Sequence, residues 1–588
     1  MPEYHAPIDD IQFILTQVLD VDQLAKLPGY EEATPDVIAA VIEEGGKFCE
    51  QVLAPLNQTG DAQGCTYADG RVSTPDGFRQ AYRQYCEAGW PAMTAAPEHG
   101  GQGLPHLTRF VLDEMLCSSN LSFSMYPELS HGATSLLEHW ANDDLKQRFL
   151  GHIVDGSWGG TMCLTEPHAG TDLGLIRTRA ERASDGTYTV TGTKIFISAG
   201  EHDLTENIVH LVLAKLPDAP PGTRGISVFL VPKLVAGDAG ALVPNGVRCG
   251  SIEHKMGIRG NATCVMNFEN ARGWLVGEEN KGMRAMFTMM NGARLGVGMQ
   301  GLGLAEVSYQ NAVRYAKERL QGRAPGGEHS PEEADPIVMH PDVRRMLMTC
   351  KAYTEGMRAL AYWVCMLLDV EEHHTDAAER EGASDLLALM TPVVKAFLTD
   401  VGFECTNLAL QCYGGHGYIR EYGMEQFVRD ARIAQIYEGT NGVQAMDLLG
   451  RKVPEGDGRL VKRFAALLEQ ALGAAQSSAN ERVKALGAAL GPAAAALQRA
   501  TMTIMGRAAA DPNELGAVAA DYLRMFGLVA TGWMWLRMGT AASRDAGSPQ
   551  HAEKLATAEF FMAKLLPQTR SLEAQINAGA APVMAVEF

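Results

Sequence analysis

The chain has 588 residues, 46% hydrophobic and 20% charged, with a formal net charge of −20. One hydrophobic core stops growing near ~250–300 residues, so several domains are expected. A surface this acidic argues against the basic footprint that nucleic-acid binding requires.

The 11 cysteines are scattered, with no CxxC pair and no histidines at zinc spacing. They read as reduced, buried thiols of a cytoplasmic protein, and no metal site is expected. Residues 1–10 are polar and acidic rather than basic then apolar. No apolar run approaches the ~18 residues of a membrane span. His373 and His374, the adjacent histidine pair, fall in the acidic stretch 371–381, which reads as a solvated loop rather than a metal site.

In chain order, residues 1 to about 155 have helical character, with helical periodicity over 35–56 and 78–89. A turn-rich segment, 57–77, and a Gly/Pro loop, 97–103, interrupt it. The pattern changes near 156. Stretches 187–197, 208–214 and 225–231 are rich in β-branched residues and separated by turn clusters, which predicts a small barrel ending near Gly277. From Met283 the pattern is helical again: one long helix over 283–323, a Gly/Pro/Glu loop over 323–336, and helices over 341–370 and 386–413. Beyond about 455, Ala-rich helical stretches at 460–475, 483–509 and 514–542 predict an added helical domain burying its apolar stripes on the main body. The fold class is therefore α+β, mainly α. It has an N-terminal helical domain (1–158), a middle β-barrel (159–280), a C-terminal helical bundle (281–452) and an additional helical domain (453–588).

Several motifs carry possible chemistry. Gly296-x-Gly298-x-x-Gly301 matches a dinucleotide fingerprint. That motif needs a preceding strand, and here it lies inside a helical pattern, so its small residues read as helix-packing positions. In 162–172 a β run ends in a Thr/Glu/Pro/Gly turn that can present N–H groups and hydroxyls to a polar ring or phosphate; an ordinary polar turn fits as well. In 194–200 strand alternation puts Phe196 and Ser198 on one face, suited to a flat heterocycle or to plain core packing. Gly414 and Gly415, following a helix, permit either a cap or close approach to a cofactor. Arg319 suits a phosphate through its planar fork, or a helix end on the surface. Glu438 lies between the apolar run 433–437 and Gly439. An apolar wall raises a carboxyl's pKa toward neutrality, and the glycine admits a ligand, which together describe a general base for a weakly acidic C–H. A solvated Glu near a helix start is the alternative.

The joint occurrence of these motifs resembles the acyl-CoA dehydrogenase family over roughly residues 35–452. The resemblance is carried by Leu164-Thr165-Glu166-Pro167-x-Ala169-Gly170-Thr171-Asp172, Gly192-x-Lys194-x-Phe196-Ile197-Ser198, Glu318-Arg319, Gln411-x-x-Gly414-Gly415-x-Gly417 and Arg429-Asp430 through Tyr437-Glu438-Gly439-Thr440. Length and the C-terminal segment point to the longer subgroup with an extra helical domain, which includes 3-methylmercaptopropionyl-CoA and bacterial fatty acyl-CoA dehydrogenases.

The resemblance implies FAD, extended between barrel and helices and partly across a subunit boundary. It implies Glu438 as the base that takes the α-proton of an acyl-CoA thioester while the β-hydride goes to flavin N5. The thioester oxygen would be polarised by the Glu438 N–H and a flavin ribityl hydroxyl. Met162, Leu164, Thr165, Gly170 and Thr171 would hold the flavin pyrimidine end. Phe196, Ile197 and Ser198 would lie against the ring, and Arg319 would meet the pyrophosphate. Gln411, Gly414 and Gly415 would approach the adenosine, with Thr440 and Asn441 completing the site. Thr171, Arg294, Tyr437 and Gly439 would contact substrate, and residues 122–126 would line the acyl pocket.

Electrons would pass to an electron-transfer flavoprotein; an oxidase using O2 and a nucleic-acid-binding relative are the alternatives. Phe196 stands where many members have Trp, and Gly442 replaces a frequent polar residue. Arg319-Leu320-Gln321-Gly322 departs from the family's Arg-x-x-Phe-Gly, and an insertion follows up to His340. The extra domain would occupy surface that other members use to form tetramers, so a homodimer is expected.

Overall fold

The computed structural model describes residues 2–237, 240–327, 329–545 and 547–588. The N-terminal part is helical. A short helix α1 (Ile8–Phe13) precedes α2 (Pro35–Phe48). The Thr34 side chain accepts the Val37 N–H, and Pro35 sits at the first helical position, where its missing donor is harmless. The helical path continues through a π-turn (Cys49–Leu53) into α3 (Ala54–Gln63), so the expected turn segment starts later than 57. Gly64, at φ 66°, stops the helix. The hairpin β1 (Thr66–Ala68) and β2 (Arg71–Ser73) follows, then α4 (Phe78–Glu87). The long α5 (His106–Trp140) contains one non-helical residue, Asn120. Short helices α6 (Asp143–Leu145) and α7 (Gly151–Val154) lead to the β region.

The β region is a closed barrel, as expected. Its strands are β3 (Trp158–Cys163), β4 (Arg179–Arg182), β5 (Tyr188–Ser198), β6 (Asn207–Lys215), β7 (Ile226–Pro232), β8 (Leu234–Ala236), β9 (Leu242–Pro244), β10 (Val247–Ile252) and β11 (Thr263–Val276). The pairs β11–β5, β5–β4, β4–β6, β6–β7 and β7–β11 close a ring. β3, parallel to β6, and β10, antiparallel to β11, extend it. Val190, Val212, Phe229, Val231, Cys264 and Phe268 fill the interior. Leu211, Leu213, Val228 and Leu230 pack outward under Leu136, Leu137 and Phe149. Burial on both faces explains why β6 and β7 read as continuous apolar runs rather than alternating ones.

The remaining helices are α8 (Gly282–Glu318), α9 (Pro341–His373), α10 (Ala377–Cys412), α11 (Met424–Ala434), α12 (Asn441–Asp447), α13 (Glu455–Gln476), α14 (Glu481–Ala508), α15 (Asn513–Ala542), α16 (Pro549–Phe560) and α17 (Gln568–Ala578). The added domain thus has two helices beyond the three expected stretches. Its α15 packs on α9, with the Trp535 indole donating to Ala352 O at 2.9 Å.

The GxGxxG motif lies inside α8, as the helical pattern required. A Cβ on Gly301 would come within 2.5 Å of Leu398 O, and one on Gly298 within 2.7 Å of Val394, so these glycines let α8 and α10 approach closely. The acidic stretch 371–381 is mostly helix, not loop: α9 runs to His373 and α10 starts at Ala377. By length and composition α10 could cross a bilayer, but 78% of its apolar window is buried inside the protein. In the insertion after Arg319, the buried Asp335 carboxylate accepts the Ala324 and His329 N–H groups and pairs with Arg323, closing the loop on itself.

The chain packs as two compact units that interleave along the sequence. One comprises Met1–Glu50, Pro105–Ser118 and Arg294–Phe588; the other comprises Gln51–Leu104 and Ser119–Ala293.

Candidate active site

In the barrel unit, the loop after β3 is sewn to β5. The Ile195 N–H donates to Thr165 O at 2.9 Å, and the Lys194 ammonium donates to Leu164 O at 2.9 Å and to Glu166 Oε1 at 2.8 Å. Glu166 also accepts the Arg177 and Thr178 N–H groups. Lys194 has no exposed surface, and Glu166 is 3% exposed. Burial pushes the Glu166 carboxyl up, but the Lys194 ammonium and the hydrogen bonds outweigh it and hold the carboxyl below its usual range. Met162 lies in β3 itself, and Leu164, Thr165, Gly170 and Thr171 sit on the loop that follows, fixed from beneath by a buried ion pair. The sequence signal for that pair was a charged residue on the face of β5 that Val190 turns inward.

β5 carries a bulge at the same place. Ile197 pairs with Cys264 and Lys194 with Met266, so Ile195 and Phe196 together oppose Val265. The bulge puts Phe196 at φ 59° and turns its ring outward, 59% exposed. An aromatic ring held outward on strained backbone is a platform for a flat ligand. Ser198 is half-buried on the same side. Ile197 instead buries its side chain in the barrel core, so contact with a cofactor there falls to its backbone.

In the helical unit, Glu438 lies in the turn between α11 and α12. It adopts φ 55°, and Gly439 follows at φ 81°. A Cβ on Gly439 would come within 2.5 Å of Gln444 Nε2. That amide donates to Glu438 O at 3.1 Å and Gly439 O at 3.2 Å, clamping two successive carbonyls of the strained turn. Glu438 is half-buried. Burial pushes its carboxyl up to about 7, against the pull of Arg294 and Lys395. The apolar-wall reading of the sequence anticipated this direction.

Arg294, buried on α8, is held by Asp447 of α12 at 3.6 Å, and Asp447 also accepts from Arg451 at 2.9 Å. The Tyr437 hydroxyl donates to Gln300. The Asn441 amide is committed to α10, donating to Ala396 O, Thr399 Oγ1 and Asp400 Oδ1, so a flavin contact there also falls to the backbone. Thr440 is exposed beside it. Gln444, Asp447 and Lys395 were not singled out from sequence. Lys395 had a signal, a lysine within an apolar helical stretch; Gln444 and Asp447 had none.

A second cluster lies at the far end of α10. Gln411, Gly414, Gly415 and Arg319 are exposed. Tyr315 and His416 join the two segments through a 2.8 Å hydrogen bond. A Cβ on Gly414 or Gly415 would meet nothing within 4 Å, which leaves room for a ligand against the backbone. Lys395, beside Glu438, and Gln411 are separated by about 24 Å along a helix rising 1.5 Å per residue. The predicted residues thus fall into three groups: the barrel loop and bulge, the Glu438 turn, and the Arg319/Gln411 cluster. An outward aromatic platform, hydroxyl-bearing loops, open glycine backbone and an exposed guanidinium are the donor set that an extended flavin dinucleotide needs, so the residues present fit FAD.

Four family models match in order. They are the acyl-CoA dehydrogenase N-terminal domain over 39–157, the middle domain over 161–271, the C-terminal domain over 280–452, and an acetyl-CoA dehydrogenase C-terminal-like domain over 459–587. The chain belongs to the acyl-CoA dehydrogenase family. As a member it is an FAD-dependent oxidoreductase that dehydrogenates acyl-CoA. It is 42% identical to a 3-methylmercaptopropionyl-CoA dehydrogenase of Ruegeria pomeroyi, covering 98% of both chains. It is 32% identical to a broad-specificity linear acyl-CoA dehydrogenase of Mycobacterium tuberculosis, covering 96% of both. A Caenorhabditis elegans structure solved in complex with C11-CoA shares the fold, with a TM-score of 0.79 at 19% identity over 99% of this chain and 95% of that one.

Proposed function

We propose that the enzyme converts 3-methylmercaptopropionyl-CoA to its 2,3-enoyl thioester, with Glu438 as the base for the α-proton. The observation that carries the mechanism is the Glu438 turn: a half-buried carboxyl on left-handed backbone, pushed up to about 7 by burial. A base poised near neutrality both exists in its ionised form and has driving force to accept a proton. FAD, when bound, supplies the acceptor for the β-hydride. Phe196 gives the flat ring a platform, and the 162–171 loop and Ser198 give it polar partners. The Glu438 N–H polarises the thioester oxygen, which acidifies the α-carbon for the carboxylate beside it. Arg294, Tyr437, Gly439 and Thr171 position the thioester. The α-proton then rests on Glu438 until product leaves.

The thioether substrate is supported by the identity to the Ruegeria pomeroyi enzyme over the full chain. Linear fatty acyl-CoA is the second reading, favoured by the full-length similarity to the broad-specificity Mycobacterium tuberculosis enzyme. Both substrates present adjacent CH2 groups to the same base. Electrons pass to an electron-transfer flavoprotein in a cytoplasmic homodimer. The separation of the Arg319/Gln411 cluster from the Glu438 turn supports the dimer, because it suits residues that serve a cofactor shared with a second copy.

Dye-reduction kinetics over a panel from propionyl- to stearoyl-CoA, with 3-methylmercaptopropionyl-CoA alongside, tests the substrate. The highest kcat/KM is expected for the thioether substrate. A preference for long chains by tenfold or more would assign the enzyme to linear fatty acyl-CoA instead. Peroxide formed in step with turnover without added acceptor would assign oxygen as the acceptor.

A further inference from the structure

Lys395 lies in an apolar part of α10, with Val393, Val394, Ala396, Phe397 and Leu398 buried around it and no exposed surface of its own. Burying an ammonium is costly unless it is paired and hydrogen-bonded. Its donor goes to Asn441 Oδ1 at 2.8 Å. The Asn441 amide nitrogen then donates back to the same turn of α10, to Ala396 O, Thr399 Oγ1 at 2.9 Å and Asp400 Oδ1 at 2.7 Å. Asp400 also accepts the Gln435 amide at 2.7 Å, and the Asn441 N–H donates to Gln435 O at 3.1 Å. Gln435 and Asn441 are the two ends of the turn that carries Glu438. One turn of α10 therefore grips both ends of the segment that holds the base.

The charged groups facing Lys395 are Glu438 on that turn, Asp400 on its own helix and Arg294 on α8. Burial pushes the lysine down to about 8, and Glu438 and Asp400 act against it. In return, the Arg294 guanidinium and the Lys395 ammonium both pull the Glu438 carboxyl down against its burial.

We propose that Lys395 is a positioning residue for the reaction: through Asn441 it fixes the turn that carries Glu438, and its buried ammonium keeps the Glu438 carboxylate in the ionised form that accepts a proton. This rests on Glu438 being the base.

The test uses the flavin-loaded enzyme as Lys395→Met and Lys395→Arg, with Lys395→Gln in place of Met if that variant does not fold. Removing the charge should move the acid limb of kcat/KM upward by about one pH unit, the low end of what an opposite charge contributes. That lowers the rate at pH 6 by up to about tenfold. Arginine should return the limb to its wild-type position. A second readout is the carboxyl band in pH-difference infrared spectra, assigned by its loss in Glu438→Gln; it should titrate at higher pH in Lys395→Met. Profiles of the neutral variants that superimpose on wild type, or an arginine variant that shifts as far as methionine, overturn the proposal. Full turnover by Glu438→Gln would instead overturn the base assignment, and the infrared band then still reads the Lys395–Glu438 coupling by itself.

Discussion

As the proposed base, Glu438 would set opposite demands on activity and on stability, and the difference is measurable. With the carboxyl near 7, about one-eleventh is ionised at pH 6 and about ten-elevenths at pH 8, so kcat/KM should rise roughly tenfold across that interval. An ordinary carboxyl would be ionised throughout and give a flat profile. The folded-state value lies above the unfolded one, so the folded protein holds this proton more tightly between roughly pH 4.5 and 7. The resulting stability is present below pH 4.5 and is lost as pH rises through 7. The full shift corresponds to about 3 kcal/mol, and partial solvent access lowers that to about 1–3 kcal/mol. Glu438→Gln should abolish turnover while retaining flavin. It should raise the unfolding free energy by about 1–3 kcal/mol at pH 8, with little change below pH 5. Urea unfolding of both proteins at the two pH values reads this directly. An acid limb below pH 5, together with equal stability at pH 8, would refute the buried-base reasoning.

Lys194→Met leaves Glu166 buried with the Arg177 and Thr178 N–H donors and the His168 ring at 3.7 Å but without its ammonium, so about 3 kcal/mol of stability should be lost. The freed 164–166 loop should release flavin, read as visible absorbance per protein after gel filtration; full flavin retention with unchanged thermal stability would show that the pair does not hold the loop. Gly301→Ala should destabilise by about 1–3 kcal/mol, because the added methyl meets the Leu398 carbonyl, backbone that cannot step aside. An unchanged unfolding midpoint would refute close α8–α10 packing as the reason for that glycine.

Much of the architecture was legible because its periodicities are strong. The helices α8 and α9 and the strands β5, β6 and β7 appear close to their expected limits, whereas α10 starts at Ala377, well before the expected 386. α16 and α17 were not read: they are short, and their apolar positions are mixed with polar ones over only three turns each. The raised pKa of Glu438 was readable as an apolar run beside a glycine. Its left-handed backbone was not, because the adjacent Gly439 is the residue that a sequence argument assigns to positive φ. Lys194 and Lys395 could be seen as charges in apolar stretches, but what each one faces is set by tertiary packing. Their partners, Glu166 and Asn441, lie on other elements, so no local pattern pairs them.

The barrel bulge and the Glu438 turn, each within its own unit, share one physical solution. Phe196 at φ 59° and Glu438 at φ 55° both sit on backbone that non-glycine residues rarely adopt, and each such residue costs about 1–3 kcal/mol unless its surroundings over-determine it. In each unit the neighbouring segment is fixed by a wholly buried lysine. Lys194 hydrogen-bonds the loop that lies beside the Phe196 bulge, and Lys395 hydrogen-bonds the asparagine that ends the Glu438 turn. A buried ammonium has three directional donors and no water to satisfy them, so displacing its acceptors is far more costly than displacing an apolar contact. That asymmetry makes lysine suited to holding a strained loop: the loop cannot relax without leaving a charge unsatisfied. The same logic explains why both lysines lie directly beneath the residues expected to meet cofactor and substrate, where a shift of an ångström would cost the reaction most.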